Sequence, residues 1–522
     1  MLGLLRKADR DSVLLMVGLF LIWNWRLASV TALNPQHVVR GDLLTLFAWK
    51  TAIFVGLALG LFVITRNLQQ TLLGIAYAIV FWLLGANLVI AALSGAILQV
   101  GLYLILIIAA AFIVRYVITR HQEITSQIVA IFGAVVVGMQ VPGLFGVITA
   151  PNVNAELSGL EADLPADVSG AQPHVIYIVP DRYASNANLR ALYDFSNTAF
   201  TDELDALGFH VWNDQYANYP KTFISLASTL NGEYLDPVLE RIPETAPSYS
   251  HLTPLIQDFA ARRALQARGY EYTHIGSWWG PTKRNAFADQ NFNDESLPFN
   301  QLTKVYLEET PLIFLLAQAE AQRTPCEIVE DKTALIREQV RAERPQFIFW
   351  HAFVTHDPYI FEADGSCRDL DEERYFAEDY EARTTAYLQH IEHFNRITLE
   401  LIEGVLADAS REVIIVIQSD EGPYPEALVR AGEETGLTDY NFLSAAPSEI
   451  ARKQGVFNAI YLPSRDYAAA EALTTPVNNF RLIFRELTGT PIPLLPDRAY
   501  SFEYEHQPYA LEEISTNLRA EE

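Results

Sequence analysis

Five apolar stretches crowd the first 150 residues, and they constrain the chain more than any other feature. They run Val13–Leu33, Thr45–Thr65, Thr71–Leu93, Ile97–Ile118 and Gln127–Thr149. A helix needs about 20 apolar residues to cross the hydrocarbon layer, and each stretch supplies that. A soluble helix keeps a polar face at helical spacing, whereas Ala52–Phe62 and Leu102–Val114 keep almost none. Residues 1–150 therefore predict a transmembrane domain of five helices. The first stretch is interrupted by Trp23, Asn24, Trp25 and Arg26, and Trp and a snorkelling Arg suit a membrane interface. A cleavable signal peptide would not be followed by four further spans.

Basic residues set the orientation. Arg6, Lys7 and Arg10 precede the first span, Arg66 follows the second, and Arg115 and Arg120 close the fourth; the alternate loops hold Arg40 and then none. With the N-terminus inside, the positive charge lies on the cytoplasmic side. Five crossings then predict a multi-pass protein of the cell membrane whose residues after Pro151 are extracytoplasmic.

Charge separates the two halves. Up to Thr125 there are nine Lys or Arg and four Asp or Glu, out of totals of 37 and 63, so the remainder holds 28 and 59. The first part is thus +5 and the rest −31, for a net charge of −26. An acidic exterior repels phosphate backbones, which argues against nucleic acid as a partner, and attracts divalent cations. The only cysteines are Cys326 and Cys367, too few for a structural zinc site of three or four thiolates. Both lie in the part predicted to be outside, where a disulfide could persist; their separation in sequence does not decide whether they pair.

Pro151–Gln172 is rich in Asn, Ser, Gly, Pro and acids and reads as a linker. From Pro173 to Glu522, short β-rich runs alternate with helical ones. The strand candidates are His174–Val179, Tyr272–Ile275, Gln346–Trp350, Glu412–Ile417 and Asn458–Tyr461, with helical patterns over Leu255–Gly269 and Phe376–Ala407. This alternation predicts an α/β domain with a largely parallel central sheet, covered on both faces. Such sheets bind ligands beyond their C-terminal strand ends. Two candidate strands end in acids there: Asp181 after the first, and Asp420–Glu421 after Glu412–Ile417.

Four landmarks in order give this half a family resemblance. Thr222, in Lys221–Thr222–Phe223, stands ten residues before Gly232, the spacing between the nucleophile and the glycine of the sulfatase signature. Pro173 precedes Asp181 by eight, His356–Asp357–Pro358–Tyr359 is similar to a His-x-Pro-Tyr loop, and Ser419–Asp420–Glu421–Gly422 sits where Asp-His-Gly is usual. Over Pro173–Tyr424 the chain resembles the alkaline phosphatase/sulfatase superfamily. A threonine cannot be oxidised to the formylglycine aldehyde of sulfatases. Thr222 after five membrane helices is similar instead to lipoteichoic acid synthase-like phosphoglycerol transferases and to phosphoethanolamine transferases.

The resemblance implies a divalent metal, a phospholipid or lipid-linked donor, a cell-envelope glycan or lipid acceptor, and a covalent phospho-threonine. Thr222 is the expected nucleophile and a metal ligand with Asp181, Asp420 and Glu421. Glu421 in place of histidine makes that set all oxygen, which favours Mn²⁺, Mg²⁺ or Ca²⁺ over Zn²⁺. His356 is the candidate general acid or phosphate donor. Lys221, His274, Trp279 and Arg481 are candidate substrate contacts, with structural roles as the alternative; Arg481 in an ion pair and His351 as a buried, satisfied histidine are the plainer readings. Two rival functions remain at this level: a hydrolase of phosphate or sulfate esters, and a catalytically silent surface-binding relative, the latter motivated by Glu421.

Overall fold

The computed structural model describes residues 9–518 apart from 34–39, 94, 149–156, 158, 166–171, 247–248, 278, 293–300, 309, 313–324, 369–378 and 432–438. Contacts divide the chain into two units, Met1–Ala150 with Glu295–Gln322, and Pro151–Asp294 with Arg323–Glu522.

In the first unit, four helices are long and apolar enough to cross a membrane: Arg10–Ala32, Gly41–Thr65, Leu68–Leu93 and Ile97–Arg120. The fifth expected span differs. It divides into Gln122–Gly138 and Val141–Ile148. Pro142 is the physical reason, because its ring clashes with the carbonyl four residues back, that of Gly138, and it has no N–H to donate there. Among the described residues the count of spanning-length helices is four. The broken segment packs on the first helix through small residues: a Cβ at Gly18 would lie 2.7 Å from Val129 backbone, and one at Gly133 would lie 3.0 Å from the Gly18 carbonyl oxygen. This close approach of backbones is the usual way helices associate in lipid.

Residues 301–308 and 310–312 fall within the expected catalytic domain by sequence and group by contacts with this first unit. Helix Gln301–Glu308 presents Leu302, Tyr306 and Leu307, which are buried with Leu27, Val30 and Leu43. Tyr306 receives a hydrogen bond from Trp82 Nε1 at 3.1 Å and a close one from Lys50.

The second unit is built on a seven-stranded sheet: β1 (His174–Pro180), β2 (His210–Tyr216), β3 (Glu271–Ile275), β4 (Gln290–Phe292), β5 (Gln346–Ala352), β6 (Val413–Gln418) and β7 (Gly455–Tyr461), in the order β2-β7-β6-β1-β5-β3-β4. Pairings are parallel from β4 to β6, and β7 alone runs against its neighbours. β2 and the three-residue β4 escape a sequence reading, β2 because its buried residues do not alternate cleanly with exposed ones. Side chains alternate faces along a strand. Val175, Tyr177 and Val179 of β1, Phe347 and Phe349 of β5, and Ile414 and Val416 of β6 fill the core on one face. Ile176, Ile178, Ile348, Trp350, Val413, Ile415 and Ile417 fill the other.

The described part of 151–172 is not a free stalk. Leu157 and Leu160 are fully buried in the first of these cores, Glu161 pairs with Arg263 at 2.7 Å, and Asp163 with Arg481 at 2.6 Å. Cys326 and Cys367 form a disulfide, with Cα atoms 6.1 Å apart.

Candidate active site

β1 lies between β5 and β6, so the C-terminal ends of these three strands are neighbours. Val179 is level with His351, and Ile178 with Ile417. Asp181 lies two residues past Val179, and Asp420 three past Ile417. Both belong to the alternate set that, with His351, lies on the Tyr177 and Phe349 side of the sheet. Asp181, His351 and Asp420 are all buried, and one ligand atom from each falls within 4.8 Å of the others. Against that face packs helix Thr222–Thr229, whose Phe223, Ile224 and Leu226 enter the same core. Its first residue, Thr222, stands close enough to Asp420 for its hydroxyl to favour the ionised carboxylate. The positive end of the helix dipole thus faces the acids.

His351 was expected to be a satisfied core histidine. Its Nδ1 is satisfied, bonded to Thr282 Oγ1 at 2.7 Å. Its Nε2 has no hydrogen-bond partner and stands 3.5 Å from Asp181 Oδ2. Burial holds its pKa down at about 4, so the ring is neutral, the form that ligates metals. Asp181 Oδ1 and Asp420 Oδ2 are likewise buried without a hydrogen-bond partner. Burial raises the pKa of Asp181, and burial, with Asp181 and Glu421 alongside, pushes Asp420 up to about 7. Two such crowded carboxylates and a neutral imidazole fit a divalent cation, which would satisfy the three orphaned atoms together. The signal that could have found His351 is strand alternation, which puts it on the Phe349 side.

Glu421 does not join that cluster. Lys453 Nζ lies 2.8 Å from its Oε2, and Arg182 Nε 3.3 Å from its Oε1. Burial opposes its ionisation, but Lys453, Lys221 and Arg182 outweigh burial and hold its pKa at about 2. The possible ion site thus groups two carboxylates with an imidazole in place of the all-oxygen set expected from the sequence, so that the ground for preferring Mn²⁺, Mg²⁺ or Ca²⁺ over Zn²⁺ does not apply to it. Arg182 follows Asp181 in the left-handed region, φ 62°, a conformation that costs a side-chain-bearing residue about 1 kcal/mol or more and tends to persist at functional sites. It also makes a close ion pair with Asp357.

The remaining sequence candidates divide. His356 is packed beside Asp357, Nδ1 to Oδ1 3.2 Å, and burial, with Arg182 nearby, lowers its pKa. Trp279 lines the site wall, edge-on to Phe223 at 4.6 Å and to His351 at 5.7 Å between centroids. Lys221 is committed to close contacts with Glu505 and the Tyr424 hydroxyl. His274 is corrected to a structural role: Nδ1 meets Tyr272 Oη at 2.9 Å, Nε2 meets the Thr282 carbonyl at 2.7 Å, and the ring is buried. It supports the residue that orients His351. Arg481 is corrected likewise, since it donates to the Gly232 and Pro493 carbonyls and to Asp163. Sequence reasoning missed Arg182, Lys453 and Tyr424. All three cations, Arg182, Lys221 and Lys453, lie 4.4–4.5 Å from the Tyr424 ring centroid, and such pairing across distant segments leaves no local pattern.

No family model matches the chain, and no curated protein does. Solved structures do. The C-terminal periplasmic domain of EcEptC from Escherichia coli is 15% identical, covering 68% of this chain and 96% of that one, with TM-score 0.42. The putative sulfatase yidJ from Bacteroides fragilis is 14% identical, over 65% and 83%, with TM-score 0.39. The lipoteichoic acid synthase LtaP from Listeria monocytogenes is 12% identical, over 66% and 83%, with TM-score 0.35. At these values the likeness assigns no role to any residue here.

Proposed function

We propose that the chain is a membrane-anchored, metal-dependent transferase of a phosphoryl-linked headgroup, of phosphoglycerol or phosphoethanolamine type, acting outside the cytoplasmic membrane. The observation that carries this reading is a helix-leading threonine beside the buried cluster of Asp181, His351 and Asp420. Asp181, His351, Asp420 and Thr222 would hold one divalent ion, which supplies charge stabilisation at the phosphoryl oxygens and a lowered hydroxyl pKa. The mixed nitrogen and oxygen donors suit Mn²⁺ or Zn²⁺. Thr222 Oγ releases its proton to solvent and forms a bond to phosphorus, and the bond to the lipid oxygen breaks. His356 supplies a proton to that leaving oxygen. The acceptor hydroxyl then forms a bond to phosphorus and passes its proton to His356, and the bond from phosphorus to Thr222 Oγ breaks. The Trp279 and Phe223 rings exclude water from this side.

The Cys326–Cys367 disulfide supports an extracytoplasmic catalytic unit, because such bonds persist in oxidising compartments. A membrane anchor keeps the site near its lipid donor and raises its effective concentration. Thr222→Ala is expected to lower turnover by at least about 10³-fold while the melting temperature stays unchanged. Wild-type turnover in that variant would overturn the mechanism. Analysis of end products, free headgroup against modified glycan or lipid, decides between hydrolysis and transfer.

A further inference from the structure

Behind His351 runs a chain of hydrogen bonds that the chemistry above does not use. β3 lies against β5, with His274 level with Phe349, two residues before His351. Past β3 the chain turns through Ser277 into Gly280–Lys283, which brings Thr282 beside the His351 ring. Tyr272, His274, Ser277, Thr282 and His351 are all buried. Burial holds the His274 ring neutral, with a pKa of about 4. Its Nε2 meets the Thr282 carbonyl at 2.7 Å, and a carbonyl only accepts, so that nitrogen carries the proton. Nδ1 is then an acceptor, and the Tyr272 hydroxyl donates to it at 2.9 Å. The Thr282 backbone is thereby clamped. Its Oγ1 lies 2.7 Å from His351 Nδ1 and 3.2 Å from Ser277 Oγ, and Ser277 Oγ accepts the Trp279 amide at 3.2 Å. A hydroxyl both accepts and donates. That of Thr282 can take the Nδ1–H of His351 and give its own hydrogen to Ser277.

The other ring nitrogen decides which tautomer this arrangement favours. His351 Nε2 has no hydrogen-bond partner, so a proton there would be a buried donor left unpaired. Without that proton its lone pair faces Asp181 Oδ2 at 3.5 Å, which is favourable only with a cation shared between them. Two ligand atoms of one ion, with bonds of about 2.0–2.2 Å, stand about that far apart. We propose that Thr282 is a positioning residue for a divalent ion: its hydroxyl accepts the Nδ1–H of His351 and so fixes the tautomer whose bare Nε2 is offered together with Asp181 and Asp420. Ligating histidines commonly give this second N–H to a carboxylate, a backbone carbonyl or water. Here a threonine, itself clamped by His274, takes that place. The proposal rests on the reading of Asp181, His351 and Asp420 as an ion site.

The full chain in detergent, stripped of divalent ions with a chelator, is titrated with Co²⁺, whose visible absorption reports its ligands; competition with a chelator gives the affinity. The wild-type chain should take up Co²⁺, and Asp420→Asn should weaken that uptake. Thr282→Val keeps the branched shape without the hydroxyl, and should weaken uptake by about 10–100-fold and shift the absorption bands. Thr282→Ser, which restores the hydroxyl, should recover both. Wild-type affinity and spectrum in Thr282→Val overturn the positioning role, and so does a loss that Thr282→Ser fails to recover, since that marks a packing effect. Nitrogen NMR of isotope-labelled histidines in the Zn²⁺-loaded wild-type chain tests the proposal with Thr282 in place. The resonances that vanish in His351→Gln should show the proton on Nδ1; a proton on Nε2 overturns it. A wild-type chain that takes up no Co²⁺, or whose uptake Asp420→Asn leaves intact, removes the ion site and the positioning role with it. Uptake that needs Asp420 and is indifferent to Thr282 removes the positioning role alone and keeps the site.

Discussion

The two units each bury a lysine, and they do it in opposite ways. In the membrane unit, Lys50 is surrounded by ring faces, 4.7 Å from the Trp23 centroid and 4.5 Å from that of Tyr306, with the Tyr306 hydroxyl as its acceptor. In the catalytic unit, Lys453 faces a carboxylate, Glu421, at 2.8 Å. Aromatic faces shield a cation and let it stay in an apolar surrounding. A buried carboxylate uses a cation to stay charged, and pulls its pKa in turn: burial draws Lys453 down to about 8 against the pull of Glu421. One lysine ties a returning chain segment to a helix bundle. The other keeps a negative charge next to the cluster of Asp181, His351 and Asp420.

Four experiments would break or sharpen that contrast. The largest effect should come from Asp420→Asn, which removes a member of the proposed metal cluster. Metal affinity is expected to fall by more than the roughly 10–100-fold typical of losing a residue that merely orients a ligand, whereas Lys50→Met should leave metal content unchanged; elemental analysis of purified protein reads both. Next, Lys453→Met leaves Glu421 with Arg182 as its ion-pair partner and should destabilise the catalytic unit by up to about 3 kcal/mol, with Glu421→Leu in the same chain recovering part of that. Lys50→Met keeps its ring contacts through sulfur and should cost under about 1 kcal/mol. Thermal melts in detergent compare the two, and equal losses would erase the distinction. Reduction of Cys326–Cys367 should lower stability by about 2–4 kcal/mol in the catalytic unit alone, with limited proteolysis locating the loosened region.

The smallest effect is with pH. Burial depresses His174 to about 4 and His390 to about 3. Both are neutral in the folded chain, while their unfolded value is about 6.5. Above that value neither state binds a proton and nothing is lost. Below it the unfolded chain binds more protons than the folded one, so stability falls as pH drops from about 6.5 toward 4. A fall of several degrees in the catalytic unit's melting temperature is expected over that interval, and a flat profile would contradict these burial shifts.

Much of this architecture was legible in the sequence. Apolar length marked the membrane helices, and uninterrupted Val, Ile and Phe runs marked β1, β5 and β6. The fifth span misled because hydropathy ignores the backbone effect of Pro142. Asp181 and Asp420 could be singled out because strand ends carry chemistry in such sheets. His351 was passed over because a histidine inside an apolar run is usually satisfied, and here one ring nitrogen is. Glu421 was assigned to metal because its partners, Arg182 and Lys453, include one 32 residues further along, brought near only by the turn back from β6 into β7.

The chain passes between its two units three times, after Ala150, after Asp294 and after Gln322. Cutting at the first of these alone does not liberate a self-contained soluble enzyme. The fragment would still carry Leu302, Tyr306 and Leu307, whose apolar partners Leu27, Val30 and Leu43 were left behind, and such a patch in water invites aggregation. Anyone preparing the water-soluble part should expect to excise the internal loop as well, and to bridge the gap with a short polar spacer.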